Sequence, residues 1–351
     1  MSTLVQLALR RTLGQIRHVD RVRPGRGGAT VVGVHRQVEA DFGLLAPPIA
    51  LHTAAPPALA ASWAMLREAL VADGRVSRAV KEAVASGVSE RNRCPYCVEV
   101  HSATLDALTG PAVGPVSGVD PVVDWARTGR GASAPFDCLS APEHIGTSVV
   151  FHYLNRMVAV FLGDSPLPPT VPESARATAR RVLGRMMRPN AVAAHRPGRS
   201  LEFLPPADLA PDLAWATPSP VLADAFSRAY QAIERLAERT VPDEVRAAVG
   251  TAVTGWDGGP VGLSRAWAYD ETEGVSAAHR PAAVLALLTA KAAYQVDDSI
   301  VADFRRDGTD TELIALTSWA ALTAARALGP GSAPVPHAIT GECGCPAPQP
   351  L

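Results

Sequence analysis

The sequence predicts an all-α protein, on three observations. Apolar residues recur at helical spacing in one segment after another, as at 79, 80, 83, 84 and 88. No stretch sustains the two-residue alternation of a half-buried strand. Of the 351 residues 47% are apolar, many of them alanine, while only 5% are aromatic, which suits close-packed helices better than a β-sandwich. A chain of this length can bury a sizeable core in two or three domains.

Taken in order, residues 3 to 19 read as a basic amphipathic helix that packs on the domain, with Arg10 and Arg11 interrupting any hydrophobic run. The Pro- and Gly-rich RVRPGRGGA is a loop, and Val31 to Phe42 a helix. Paired prolines in LLAPPIALHTAAPPAL forbid a regular helix there. Helices follow at about 58 to 72, 78 to 91 and 95 to 108. Beyond the linker TGPAVGPVSGVDP another starts at Val122 to Arg127, and Glu143 to Leu162 is a strong helix. DSPLPPTVP, residues 164–172, separates a unit 1–163 from a unit 173–329, and the Pro/Gly/Ser-rich tail 330–351 is expected to be disordered.

Reactive side chains concentrate between Ser77 and Leu108. Cys94, Pro95, Tyr96 and Cys97 form a C-x-x-C, His101 follows four residues later, and Glu82 precedes Cys94 by twelve. Glu82 lies on the flank of an apolar stripe, beside Ala79, Ala83 and Ser86, and is expected to be half-buried. Pro95 suits the first helical position, where its missing N–H would be unpaired anyway, so Cys94 becomes the N-cap. Cys97 then sits in the first turn, where free N–H groups and the helix dipole favour a thiolate and predict a pKa below the ordinary value of about 8.5. His101 is one turn further along the same face, and a carboxylate on the neighbouring helix can take a proton from it or from a water between them. A structural pair of core thiols, or half a zinc site made by Cys94, Cys97 and His101, are duller readings. No second C-x-x-C or H-x-x-x-H completes a tetrahedron.

Glu82, Cys94, Cys97 and His101, at these spacings, resemble the active-site motif of the alkyl hydroperoxidase D / carboxymuconolactone decarboxylase superfamily. The resemblance implies an all-helical fold, a dithiol that cycles with its disulfide, Cys97 as the activated thiol, Cys94 as its disulfide partner, and His101 with Glu82 as a proton relay. It departs at Tyr96, which stands where the best-studied hydroperoxidases carry a second histidine. The activity implied is a thiol-dependent peroxidase or thiol–disulfide oxidoreductase, acting on a peroxide or a partner disulfide. An external thiol reductant must regenerate it, a lipoyl-type carrier being one form. The superfamily's other branch, cofactor-free decarboxylases, shares the fold but lacks the cysteine pair. A redox-sensing interaction protein is a third alternative. No cofactor is called for, since no G-x-G-x-x-G fingerprint occurs.

The second unit reads as a degenerate copy of the first. TARRVLGRMMR echoes ALRRTLGQIR and PSPVLADAF echoes PPALAASW. An offset of 165 places Val245 on Val80, Val249 on Val84, Val253 on Val88 and Pro260 on Pro95. The same offset replaces Glu82, Cys94, Cys97 and His101 by Ala247, Gly259, Gly262 and Ala266. Residues 281 to 329 resemble the closing helices of family members. Many members build their core as homo-oligomers; here the expectation is a pseudo-dimer within one chain, with further self-association left open.

A net charge of −1 gives no reason to expect nucleic acid or an anionic membrane as partner. The most apolar later stretch, 145 to 163, is broken by His152, Asn155 and Arg156 and falls short of a membrane span. Five cysteines, an odd number, together with no small-residue cleavage site near the start, predict a reducing, cytoplasmic setting. His144 is expected to cap its helix or face solvent, His152 is a candidate for facing the dithiol, and Cys138 reads as a buried apolar filler. Cys343-Gly-Cys345 reads as an exposed tail thiol pair without a role, the alternatives being a strained disulfide, electron transfer to the main pair, or metal binding with His337.

Overall fold

The computed structural model describes residues 11–20, 22–110, 116–129, 134–168 and 170–329, and every regular element among them is helical. Before the 164–172 connection lie α1 (Ala29–Phe42), α2 (Pro47–Ala50), α3 (Pro56–Leu66), α4 (Arg78–Arg91), α5 (Pro95–Thr109), α6 (Val119–Thr128) and α7 (Ala141–Phe161). After the 164–172 connection come α8 (Glu173–Ala191), α9 (Pro220–Thr240), α10 (Asp243–Val253), α11 (Ala266–Asp270), α12 (Arg280–Ala292), α13 (Asp298–Arg305) and α14 (Asp310–Leu328). The paired prolines turn out to start helices rather than exclude them. Pro47 opens the four-residue α2 and Pro56 opens α3, because the N–H a proline lacks has no partner in a first turn. α3 continues through a wider π-turn, Arg67–Val71. Of the amphipathic helix expected at 3 to 19, the described residues hold only a 3₁₀ turn at Arg11–Gln15, and the expected disorder of 330–351 lies outside the described residues.

One continuous apolar core runs from Leu13 to Ala325. α4 packs on α5, α6 and α7; α10 packs on α12 and α14. α3 lies against α9 and α7 against α14. Buried ion pairs fix the register of these layers. Arg67 is 1% exposed and donates to Asp41 at 2.7 Å, to Glu68 at 2.8 Å and to the Arg196 carbonyl at 3.0 Å. Glu68 in turn accepts from the Gly198 amide and the Ser200 hydroxyl, so the loop after α8 is bolted to α3. Lys81, equally buried, meets Glu143 at 2.7 Å and the Ala72 carbonyl at 2.9 Å, which locks α4 to the first turn of α7.

Two glycines let helices approach backbone to backbone around the site. A Cβ on Gly87 of α4 would fall 2.8 Å from Val123 O and Ala126 Cβ on α6. A Cβ on Gly184 of α8 would fall 2.2 Å from Ala103 O on α5. The second contact lets α8 lie directly over the helix that carries the cysteines.

Candidate active site

α4 begins with Ser77 as N-cap, whose hydroxyl accepts from the Val80 amide, and ends at Arg91. The link to α5 is three residues long, Asn92 to Cys94. Asn92 returns its amide to Val88, and Arg93 takes a left-handed conformation at φ 53, unusual for a residue with a side chain. The chain therefore reverses at once, with the Cys94 amide bonded to Ser89 O, and Pro95 starts α5 as its spacing predicts. Cys94 is the residue before the first helical position; its side chain makes no capping bond.

The structure brings Glu82, Cys94, Cys97 and His101 together. His101 Nδ1 donates to Glu82 Oε2 at 2.6 Å. The other carboxylate oxygen accepts from Arg78 Nε at 2.8 Å, a partner four residues back on α4 that the i, i+4 spacing could have revealed. Glu82 is 1% exposed, buried outright rather than half-buried, because α5 and α7 both close over that flank of α4. Burial works to raise its pKa, but the charges and hydrogen bonds of Arg78 and His101 outweigh it and hold the carboxyl below its usual range. His101 Nε2 is left without a protein hydrogen bond among the described residues, and its ring stands edge-on to Phe151 at 4.5 Å.

The expectation of an acidic Cys97 does not hold. Cys97 is buried, and burial, then its hydrogen bond and charge contact with Cys94, push the thiol well above its ordinary value. The helix dipole is weaker than this desolvation, since a thiolate here would lose its water and face a second sulfur. A hydrogen bond from Asn155 on α7 works the other way. Asn155 also donates to Ser89 Oγ at 3.1 Å and accepts from Asn92 Nδ2 at 2.8 Å, and Asn92 Oδ1 accepts from His152 Nδ1 at 3.1 Å. This amide array was not recognised from the sequence, where the polar pair Asn155 and Arg156 inside an apolar helix was its signal. His152 joins through the amides and not at the sulfurs; burial, then Arg156 and Arg91, hold it neutral. His144 is buried and stacked on Phe136 at 4.3 Å rather than facing solvent. Cys138 is half-buried and disulfide-bonded, not a core filler. His337, Cys343 and Cys345, read above as a tail thiol pair with a nearby imidazole, lie outside the described residues.

The two sulfurs border different spaces. Cys97, Tyr96 and His101 line a cavity of about 110 Å³ walled by apolar side chains such as Phe42, Ile49, Phe151 and Leu183, from α1, α2, α7 and α8. Tyr96 is buried, and its phenol is pushed up by burial and then by the two thiols, so the ring presents a neutral hydroxyl. Cys94 borders a separate groove that Arg93, Glu99, Arg176 and Arg180 line with charge. No group of three or more His, Cys, Asp or Glu side chains among the described residues is placed to hold a metal ion. No helix among them is long and apolar enough to cross a membrane.

Comparison with known proteins places this geometry. A sequence model of the carboxymuconolactone decarboxylase family matches residues 57–107, the span of α3 to α5 that holds all four residues. Alkyl hydroperoxide reductase Rv2159c of Mycobacterium tuberculosis (strain ATCC 25618 / H37Rv) is 37% identical over 332 residues, covering 90% of this chain and 94% of that protein. No solved structure matches. Its length-wide likeness to that reductase, the family match on the dithiol helices and its all-helical fold establish that the chain belongs to the carboxymuconolactone decarboxylase / alkyl hydroperoxidase D-like superfamily.

Proposed function

We propose that the protein is a dithiol-dependent peroxidase that reduces an organic hydroperoxide at Cys97. The observation that carries the reading is the hydrogen-bonded series Arg78–Glu82–His101, with a buried carboxylate at its centre, which ends in the same apolar cavity as Cys97. Arg78 keeps Glu82 ionised, and Glu82 fixes His101 with Nδ1 protonated, so Nε2 is the nitrogen free to act as base. Because Cys97 rests as a thiol, the nucleophile forms only as its proton passes to His101 during attack. The sulfur takes the terminal oxygen of ROOH, the O–O bond breaks, and the proton from His101 goes to the leaving alkoxide, giving ROH and a Cys97 sulfenic acid. Cys94 then displaces water from that sulfenic acid to form the disulfide. A dithiol reductant would reach the disulfide from the charged groove beside Cys94, the side away from the peroxide cavity. The apolar lining favours an organic over an inorganic peroxide, and the relative's name, alkyl hydroperoxide reductase, points the same way.

Residues 173–329 are read as a degenerate copy that packs on the first unit as a pseudo-dimer. Three pairings support it. α10 begins at Asp243, 165 positions after α4 begins at Arg78. The offset also lays α3 on α9 and α7 on α14, and in both cases the two helices lie against each other, as equivalent elements do across a two-fold interface.

Thiol counting before and after one equivalent of an organic hydroperoxide, followed by turnover with a dithiol reductant, tests the activity. The expected result is loss of two thiols per chain and their recovery on each cycle. Two thiols that survive the peroxide, together with conversion of a carboxylated lactone, would instead support the decarboxylase branch.

A further inference from the structure

A second pocket lies at the seam of the two units, lined by α7 residues other than those that line the peroxide cavity. Its walls come from Arg91 at the end of α4 and Asn92 and Arg93 of the link after it, from Asn155 and Arg156 of α7, from the loop 256–260, and from Lys291 and Tyr294. The volume is about 100 Å³. Its rim reaches solvent through Arg93, Pro260 and Tyr294. Four cations line it, and no Asp or Glu does.

Arg156 is the informative member. It is 6% exposed, yet no carboxylate pairs with it among the described residues. Nε donates to the Ala290 carbonyl at 2.8 Å and Nη1 to the His152 carbonyl at 2.6 Å, and the guanidinium lies over Trp256 at 5.8 Å. Nη2 has no protein partner among the described residues. Two carbonyls and a ring face satisfy the geometry of a guanidinium but not its charge, and a buried charge without a counter-ion is costly. Burial, then the neighbouring charge of Arg91, lowers the Arg156 pKa to about 9, the mark of a cation held without compensation. The other cations are already positioned. Arg91 donates to the Asp257 carbonyl at 3.0 Å, Arg93 lies over Tyr294 at 5.6 Å, and Lys291 is held by Glu271 at 3.1 Å and lies over Trp267.

We propose that this seam pocket binds a phosphate group, with Arg156 as the buried anchor and Arg91, Arg93 and Lys291 around it. Four cations facing one small cavity suit a dianion better than a single carboxylate, and the free edge of a guanidinium fork matches phosphate oxygens. The site uses chain that the second unit no longer needs for chemistry. Gly258, Gly259 and Pro260 stand where the offset puts Arg93, Cys94 and Pro95 of the first unit, and here they form a wall. The site also adjoins the dithiol, since Asn155 borders the pocket and bonds Cys97.

The test is isothermal titration of the full-length reduced protein with inorganic phosphate, in low-chloride buffer at neutral pH. Parallel arms use glycerol phosphate, acetate, and sodium chloride at matched ionic strength. Saturable phosphate binding at one site per chain is expected, with acetate at least about tenfold weaker and chloride giving no saturable heat. The ratio of glycerol phosphate to inorganic phosphate tells a phosphoester ligand from the free anion. Arg93→Gln, on the solvent rim, and Lys291→Gln should each weaken phosphate about fivefold, and Arg156→Lys more than about tenfold. If Arg156→Lys does not fold, the other two variants decide the question. Arg176→Gln in the groove beside Cys94 should leave binding unchanged. No phosphate binding, binding that matches chloride, or binding unaffected by Arg93→Gln and Lys291→Gln together would overturn the proposal.

Discussion

Residues 78–109 and 243–270 start alike and end differently. α4 and α10 begin at equivalent positions, and Val80, Val84 and Val88 answer to Val245, Val249 and Val253, of which every one is buried. Past Val253 the likeness fails. α5 runs fifteen residues from Pro95, whereas Pro260 opens no helix, and only the five-residue α11 forms, at 266–270. Gly255, Gly258 and Gly262 sit at φ 75, 87 and 94, conformations that end an α-helix and that few other residues adopt without strain. Helix faces that pack on a neighbour are retained by the core they fill. If residues 173–329 are the degenerate copy proposed above, a helix whose first turn holds only two cysteines has no such restraint where the cysteines are absent.

The largest effects should come from breaking the first region's chemistry. Cys97→Ser should abolish peroxide reduction, leaving only the uncatalysed background. Cys94→Ser should complete one oxidation and stall as a Cys97 sulfenic acid or mixed disulfide. Mass spectrometry after one equivalent of oxidant reads both; a Cys94→Ser protein that never forms an adduct would reverse the two roles. Next comes the seam. Residues 1–166 expressed alone would uncover the apolar faces of α3 and α7 that α9 and α14 cover, so aggregation or a homodimer in place of the lost partner is expected by light scattering. A soluble, fully active monomer would make the second unit an independent domain.

Glu82→Gln is smaller in activity but visible in stability. The amide keeps the shape and removes the charge that Arg78 and His101 share, so a loss of about 1–2 kcal/mol is expected from leaving the half-buried Arg78 without its carboxylate. The sign with pH follows from a depressed pKa. The stability that the carboxylate supplies is complete above its unperturbed value of 4.5 and disappears as pH falls through the lower folded value. Denaturation curves of wild type and Glu82→Gln should therefore converge in acid, and a constant gap down to the lowest pH would place the effect in packing. Alkylation of Cys97 should be slow at neutral pH in both proteins, slower in Glu82→Gln, and should rise only above the ordinary thiol range, because burial holds Cys97 as a thiol.

Much of this was legible in the sequence because it rests on local spacing. Helix starts at Ser77 and Pro95 follow from capping chemistry, and the i, i+4 distance from Cys97 to His101 follows from helix geometry. What was not legible depends on what the rest of the chain lays over those helices. The Cys97 pKa was predicted from the dipole of its own helix, but α7 and α8 bury the sulfur, and desolvation decides the sign. Asn92 comes from the link after α4 and Asn155 and Arg156 from α7, more than sixty residues on, so no spacing rule joins them. The paired prolines at 47 and 56 were read as breakers, although a proline in a first turn is a start.

The smallest expected effect is the sharpest test of the comparison. In a Cys97→Ser background, Ala247→Glu, Gly259→Cys, Gly262→Cys and Ala266→His together restore every reactive group of the first site to its offset position in the second. If spacing along the chain sufficed, dithiol-dependent turnover would return. It should not. Residues 254–265 form no helix, so the two new cysteines would have no shared first turn, and Gly262 at φ 94 holds a conformation in which a cysteine is strained by about 1–2 kcal/mol. Ala266 begins α11 instead of lying one turn inside a long helix, so a histidine there would have no fixed relation to a carboxylate at 247. Peroxide consumption should stay at the level of the Cys97→Ser parent. Measurable turnover would mean that the loop can refold into the missing helix, and that the second unit lost its residues without losing the architecture that placed them.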